Sequence, residues 1–138
     1  MPRHDMYHDV VKRALEKDGW HITHDPFTLT FGVHRLFVDL GAERMLAAEK
    51  GERRIAVEIK SFLNVSPIED LQKALGQYVL YRSVLMRSEP ERQLYLAVPA
   101  RVYQELLMTS LGQIVIEDYT LSVLLFDPVT EEVQQWMS

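Results

Sequence analysis

The run Leu94–Val98, LYLAV, is the strongest constraint on how this chain folds. A strand with one wet face alternates apolar and polar residues. An almost wholly apolar run of this length is instead expected of a central strand covered on both faces. Pro99 ends it. Covering two faces takes a layer above and a layer below, which points to an α/β domain with helices packed on a mixed central β-sheet. The length of 138 residues sets the domain count at one, spanning residues 1–138. Folding at that length buries roughly two-thirds of the chain's surface, enough for a core without staples.

The flanking segments supply the layers. Arg3 to Asp18 reads as a helix, with Tyr7, Val10, Val11, Ala14 and Leu15 on one face and Asp9, Lys12 and Glu16 on the other; Gly19 caps it. Trp20–His24 reads as a short strand, turned at Asp25-Pro26, and Phe27–Phe31 alternates like a second. Arg35–Leu40 alternates again, with Phe37 and Asp39 on one face. Arg44–Glu49 either continues this strand or begins the next, and Lys50-Gly51-Glu52 is a hairpin turn. Arg54–Phe62 is the clearest strand, with Ile55, Val57 and Ile59 on one face and Ala56, Glu58, Lys60 and Phe62 on the other.

A capping box at Ser66-Pro67-Ile68-Glu69 opens a helix predicted to run from Pro67 to about Met86. Its main apolar stripe is Ile68, Leu71, Leu75, Tyr78, Val79, Leu85 and Met86. Leu80 and Val84 lie nearly opposite, so the helix is expected between layers or at a subunit contact. A short helix over Arg101–Met108 is expected next. Strands are then expected at Ile114–Ile116, Leu121–Phe126 and Glu132–Trp136. The expected order is α-β-β-β-α-β followed by C-terminal strands.

Composition removes several function classes. There is no cysteine, hence no disulfide and no cysteine-based zinc site. The opening MPRHDMYHD lacks the apolar core of a signal peptide, and no apolar run approaches the ~18 residues of a membrane span, so the expected setting is cytoplasmic. The net charge of −5 argues against tight, non-specific DNA binding by a monomer alone.

Glu58 and Lys60 are two apart on a mostly apolar strand and must share a face. One reading is an ion pair on a solvated sheet face, where such pairs contribute only ~0.2–1 kcal/mol. The other is an active site. If Arg35–Leu40 lies beside Arg54–Phe62, Asp39 joins Glu58 and Lys60, and two close carboxylates favour a shared proton or a bound cation. Oxygen ligands of this kind suit Mg²⁺.

The order Asp39, then Glu58-Ile59-Lys60, then a helix resembles the PD-(D/E)XK nuclease arrangement, with Val38 where that family often has proline. Gln77-Tyr78-Val79-Leu80-Tyr81 resembles the Gln-x-x-x-Tyr signature of the RecB-like branch, and the four-residue spacing puts Gln77 and Tyr81 on one helix face. The whole chain resembles the XisH family, cyanobacterial proteins named as controlling factors for excision of the fdxN element. HDVVKRALEKDGW (His8 to Trp20), DLGAE (Asp39 to Glu43), AAEK (Ala47 to Lys50), IAVEIKSF (Ile55 to Phe62), ALGQY (Ala74 to Tyr78), EPER and LYLAVP (Glu89 to Pro99) and Trp136 carry that resemblance.

What the resemblance implies is a restriction-endonuclease-like fold and a role in DNA rearrangement. The implied partners are DNA, a site-specific recombinase and a companion of the XisI type. A second copy of the chain would be a further source of DNA-binding surface. As a nuclease, the chain would hold Mg²⁺ or Mn²⁺ on Asp39 and Glu58, with the Ile59 carbonyl as a further ligand. Lys60 would orient water or stabilise charge, and Gln77 and Tyr81 would position the backbone. His8 and Asp9, on the first helix, are either accessory metal-site residues or part of a solvated face, and Glu43 is either a supporting carboxylate or a surface acid. Lys50, Arg53 and Arg54 form either a basic rim or solvated hairpin charges. His4, His21, His24 and His34 show no metal-ligand spacing. The alternative is a non-catalytic factor that keeps the fold and binds partners with it.

Overall fold

The computed structural model describes the backbone of residues 4–36 and 45–138, and side chains of residues 7–34 and 47–138. Asp39, Glu43 and the rest of residues 37–44 lie outside the described residues. Helix α1, His4–Lys17, opens the chain. It ends where its sequence predicts, in a left-handed glycine: Gly19 has φ +92. Trp20 N–H returns to Leu15 O at 2.9 Å and Gly19 N–H to Glu16 O at 3.1 Å, the paired bonds that satisfy a helix's last carbonyls.

Strands β1 (His21–His24), β4 (Met45–Lys50), β5 (Arg53–Ile59), β6 (Arg92–Pro99), β7 (Val123–Asp127) and β8 (Glu132–Met137) form one mixed sheet in the order β1-β4-β5-β6-β7-β8. The β5–β6 and β6–β7 pairs are parallel; the β1–β4, β4–β5 and β7–β8 pairs are antiparallel. Helix α2, Pro67–Ser88, crosses between β5 and β6. After β6 come a single turn, α3 (Ala100–Val102), a π-turn over Tyr103–Leu107, and helix α4 (Ser110–Tyr119).

Strand β6 behaves as its sequence demands. Leu94, Leu96 and Val98 join the core beneath α2, while Tyr95 and Ala97 join the core on the α1 side. Strand β5 divides likewise: Ile55, Val57 and Ile59 face α1, and Ala56 faces α2. The β4–β5 hairpin turns on Gly51 (φ +61) and Glu52, where the sequence places it. Met45–Glu49, the described part of the Arg44–Glu49 segment, therefore lies in a strand of its own, β4.

Other expectations need correcting. Arg35 and Leu36, the described part of the predicted Arg35–Leu40 strand, belong to β3 (His34–Leu36). It pairs with β2 (Leu29–Phe31) in a separate two-stranded sheet; the neighbours of β5 are β4 and β6. Ile114–Ile116 is helical, not a strand. Thr109 caps that helix by accepting from Gly112 N–H at 3.2 Å, and Gly112 packs so closely that a Cβ would collide with the carbonyls of Leu106 and Leu107. A short apolar run does not distinguish strand from buried helix by periodicity alone.

Helix α2 starts as its capping box requires, with Ser66 Oγ accepting from Glu69 N–H at 3.2 Å. It covers one sheet face rather than lying between two layers. Leu71, Ala74, Tyr78, Tyr81, Val84 and Leu85 are buried, whereas Ile68, Leu80 and Met86 are exposed. The sheet selects the face by contact, and that face includes Val84 and Tyr81 at the expense of Ile68 and Met86.

Candidate functional site

The site lies near the carboxyl end of β5, on the α2 side. Glu58 follows Ala56 on that face and is completely buried, a rare state for a carboxylate. Its cross-strand neighbours are Met45 on β4 and Leu96 on β6. Lys60 Nζ stands 3.7 Å from Glu58 Oε2, with its own side chain only 14% exposed. At that separation gross attraction is about 4–5 kcal/mol for an effective dielectric near 20. Desolvating each ion costs several kcal/mol, so the ion pair with Lys60 alone at best breaks even.

Helix α2 supplies the roof. The phenol of Tyr81 is pushed up to about 12, first by burial and then by the negative charge of Glu58. Gln77, one turn earlier on the same helix, carries a buried Oε1 with no hydrogen-bond partner among the described residues. A buried acceptor without a donor costs about 1–3 kcal/mol and needs an explanation. The Gln-x-x-x-Tyr spacing predicts that Gln77 and Tyr81 share a face, and Tyr81 is brought within the field of Glu58. Tyr81 also belongs to the buried face of α2, whereas its sequence suggests a position away from the apolar stripe.

Beyond the strand the chain is held at successive residues. Lys60 N–H donates to Ala97 O at 2.9 Å. Phe62 then adopts a left-handed backbone, φ +54, while its side chain is buried. That conformation costs a non-glycine residue roughly 1–2 kcal/mol. Arg101 Nη2 donates to Ser61 O at 2.7 Å and to Phe62 O at 2.9 Å. Sequence reasoning missed Arg101. Its only local signal is a cation placed just after the buried strand.

His8 and Asp9 are not brought to Glu58. Helix α1 packs on the face carrying Ile55, Val57 and Ile59, the opposite side of β5. His8 is buried, with Nε2 2.6 Å from Asp25 Oδ1 and Nδ1 3.2 Å from Asp9 Oδ1. Lys12 Nζ donates to Asp25 Oδ2 at 3.1 Å. Burial pushes the Asp25 carboxyl up, but the hydrogen bonds from His8 and Lys12 outweigh it and hold the group below its ordinary range.

The basic residues of the β4–β5 hairpin are also elsewhere. Arg53 and Lys50 lie over the Trp20 ring, and Arg54 pairs with Glu91 at 2.8 Å. Arg54 is four residues from Glu58, about 13 Å along the strand. These cations do not rim the site.

Among the described residues, no group of three or more His, Asp and Glu side chains is placed to hold a metal ion. Glu58 offers one carboxylate at the site; Asp39, the second expected ligand, lies outside the described residues. The donor chemistry present, a buried carboxylate oxygen beside a lysine, suits a hard divalent cation that keeps several waters. No helix among the described residues is long and apolar enough to cross a membrane.

Comparison with known proteins agrees with this architecture. The XisH protein family matches residues 1–134. The crystal structure of an XisH family protein from Nostoc punctiforme PCC 73102 is similar over 97% of this chain and 100% of that one, at 41% identity and a TM-score of 0.90. That of an fdxN element excision controlling factor protein from Anabaena variabilis is similar over 97% and 99%, at 40% identity and a TM-score of 0.89. No curated protein matches the chain. A family match over nearly the whole length, with two such structures, establishes that this chain belongs to the XisH family.

Proposed function

We propose that this chain is a restriction-endonuclease-like protein of programmed DNA-element excision, with the Glu58–Lys60 face of β5 as its hydrolytic centre. The observation that carries the reading is a fully buried Glu58 with Lys60 Nζ 3.7 Å away. Asp39 and Glu58, with the Ile59 carbonyl, would hold Mg²⁺ or Mn²⁺, which when bound supplies charge to activate water and offset that on a phosphate. Lys60 donates hydrogen bonds to the attacking water and stabilises the charge developing on phosphorus-bound oxygens. Tyr81, protonated at neutral pH as any phenol is, offers a donor there. The Gln77 Oε1 is an acceptor awaiting a donor.

The net charge of −5 leaves little attraction for DNA. A second copy, or an XisI-type companion working with a recombinase, supplies the positive surface in this reading. A second reading is a non-catalytic factor that regulates excision through its partners. The same acidic charge favours it, as does the description of the Anabaena variabilis relative as a controlling factor.

The test is cleavage of several DNA forms with Mg²⁺ or Mn²⁺, with and without the companion, for wild type, Asp39→Ala, Glu58→Ala and Lys60→Ala. The nuclease reading expects divalent-dependent cleavage that each substitution lowers at least a hundredfold. Undiminished cleavage by all three variants sinks the site assignment. Inert wild type under every condition leaves the regulatory reading.

A further inference from the structure

We propose that Arg101 is a positioning residue for the Glu58–Lys60 pair, an inference that rests on the hydrolytic reading of that pair. Three observations converge. Two residues beyond Lys60 the backbone enters a left-handed conformation at Phe62, a bulky residue that does not adopt it unaided. One nitrogen of Arg101, reaching back from the turn after β6, is bonded to two successive carbonyls there, Ser61 O at 2.7 Å and Phe62 O at 2.9 Å. The residue carrying the site ammonium is tied to the same strand by Lys60 N–H to Ala97 O at 2.9 Å. The ends of β5 and β6 are thus fixed to each other on both sides of Lys60.

The arrangement suits positioning better than charge supply. The guanidinium spends its shared nitrogen on backbone carbonyls, and its Nη1 lies 3.5 Å from Glu105. Backbone strain of this kind persists only where neighbouring structure over-determines it, and it clusters at sites where geometry must be held. Without Arg101 the left-handed backbone at Phe62 relaxes towards an extended one, and Lys60, two residues before it, is no longer aimed at Glu58. A lysine in place of Arg101 keeps a charge but ends in a compact ammonium on a flexible stem, without the rigid planar group that fixes the direction of this nitrogen's two N–H bonds.

The experiment reads the Lys60–Glu58 contact directly, without relying on cleavage. Lysines are ¹³C-methylated by reduction, and the Lys60 signal is assigned by Lys60→Arg. In the wild-type background, Glu58→Gln shifts that signal. In Arg101→Ala, and in Arg101→Lys should the alanine variant fail to fold, the same Glu58→Gln change leaves it unmoved. Amide exchange at Ser61 and Phe62 speeds up at least tenfold while that of β6 does not. If the Lys60 signal still responds to Glu58→Gln in the folded Arg101 variants, the proposal is overturned. The same holds if the wild-type signal never responds.

Where wild type cleaves DNA, Arg101→Ala lowers kcat at least tenfold with KM unchanged within twofold; an unaltered kcat also overturns the proposal. Failure of wild type to cleave bears on the hydrolytic reading alone, because the methyl-lysine and exchange results decide the role of Arg101 in that case too.

Discussion

Tyr81 on α2 and Glu58 on β5 share one buried electrostatic environment: burial, and then the Glu58 charge, raises the Tyr81 phenol to about 12. Tyr81 follows Glu58 by 23 positions. The pair joins the two halves of the sequence signature.

The raised phenol has a consequence at high pH. A group whose folded pKa lies above its ordinary value of about 10 keeps its proton longer in the folded than in the unfolded chain. Its contribution to stability is full below pH 10 and is lost as pH rises towards 12. Urea midpoints measured across that window should fall for wild type and fall less for Tyr81→Phe. In an absorbance titration, Glu58→Gln should bring the Tyr81 midpoint down; an unmoved midpoint would show that burial alone sets it.

Divalent binding should be visible as stability. At a Mg²⁺ concentration 100 times Kd, a ligand bound only by the folded state adds about 2.7 kcal/mol. The melting temperature of wild type is expected to rise with Mg²⁺ or Mn²⁺ and that of Glu58→Gln to stay flat. Equal rises in both proteins would remove Glu58 from the metal site.

Asp25 makes the opposite pH prediction. Its carboxyl is held below the ordinary range despite burial, by His8 and Lys12. A depressed carboxylate contributes stability that is present above its unfolded pKa and lost as pH falls through the folded one. Asp25→Asn should therefore be less stable than wild type at pH 7 by about 1–3 kcal/mol. The gap should narrow below about pH 4. Denaturant titrations at both pH values check this, and a gap that widens in acid would contradict it.

Two glycines should respond with opposite sign. Gly112→Ala forces a methyl against the Leu106 and Leu107 carbonyls and should cost about 1–3 kcal/mol. Gly76 sits within α2 with open space where a Cβ would go, so Gly76→Ala should add about 0.5–1 kcal/mol. Urea midpoints of the two variants give the comparison.

Several local signals are legible in the sequence. LYLAV, the Gly19 cap, the Gly51 turn and the Ser66 cap each act through neighbours in the chain, and each appears where its residues require. The Glu58–Lys60 pairing was equally legible, because two residues of one strand separated by one must share a face. Partner choice was not. The pairing of β3 with β2, the face of α2 that meets the sheet, and the side of β5 taken by α1 are decided by tertiary contact. Arg101 was invisible for the same reason, since the carbonyls it holds lie 39 and 40 positions back.

The mixed sheet also sets an order of assembly. The hairpins β4–β5 and β7–β8 close over short turns, whereas β5 and β6 align Arg54 with Arg92 only after α2 has been spanned. Closing the longer loop costs more entropy before any contact offsets it, so the parallel centre is expected to form late. Glu58 belongs to both pairings, facing Met45 on one side and Leu96 on the other. Its side chain faces α2, so it is expected to leave water only as α2 and β6 close over the hairpin. Drying this carboxylate is then expected to add to the barrier to folding, so that the residue on which the chemistry is proposed to depend would also slow the chain's route to its native state.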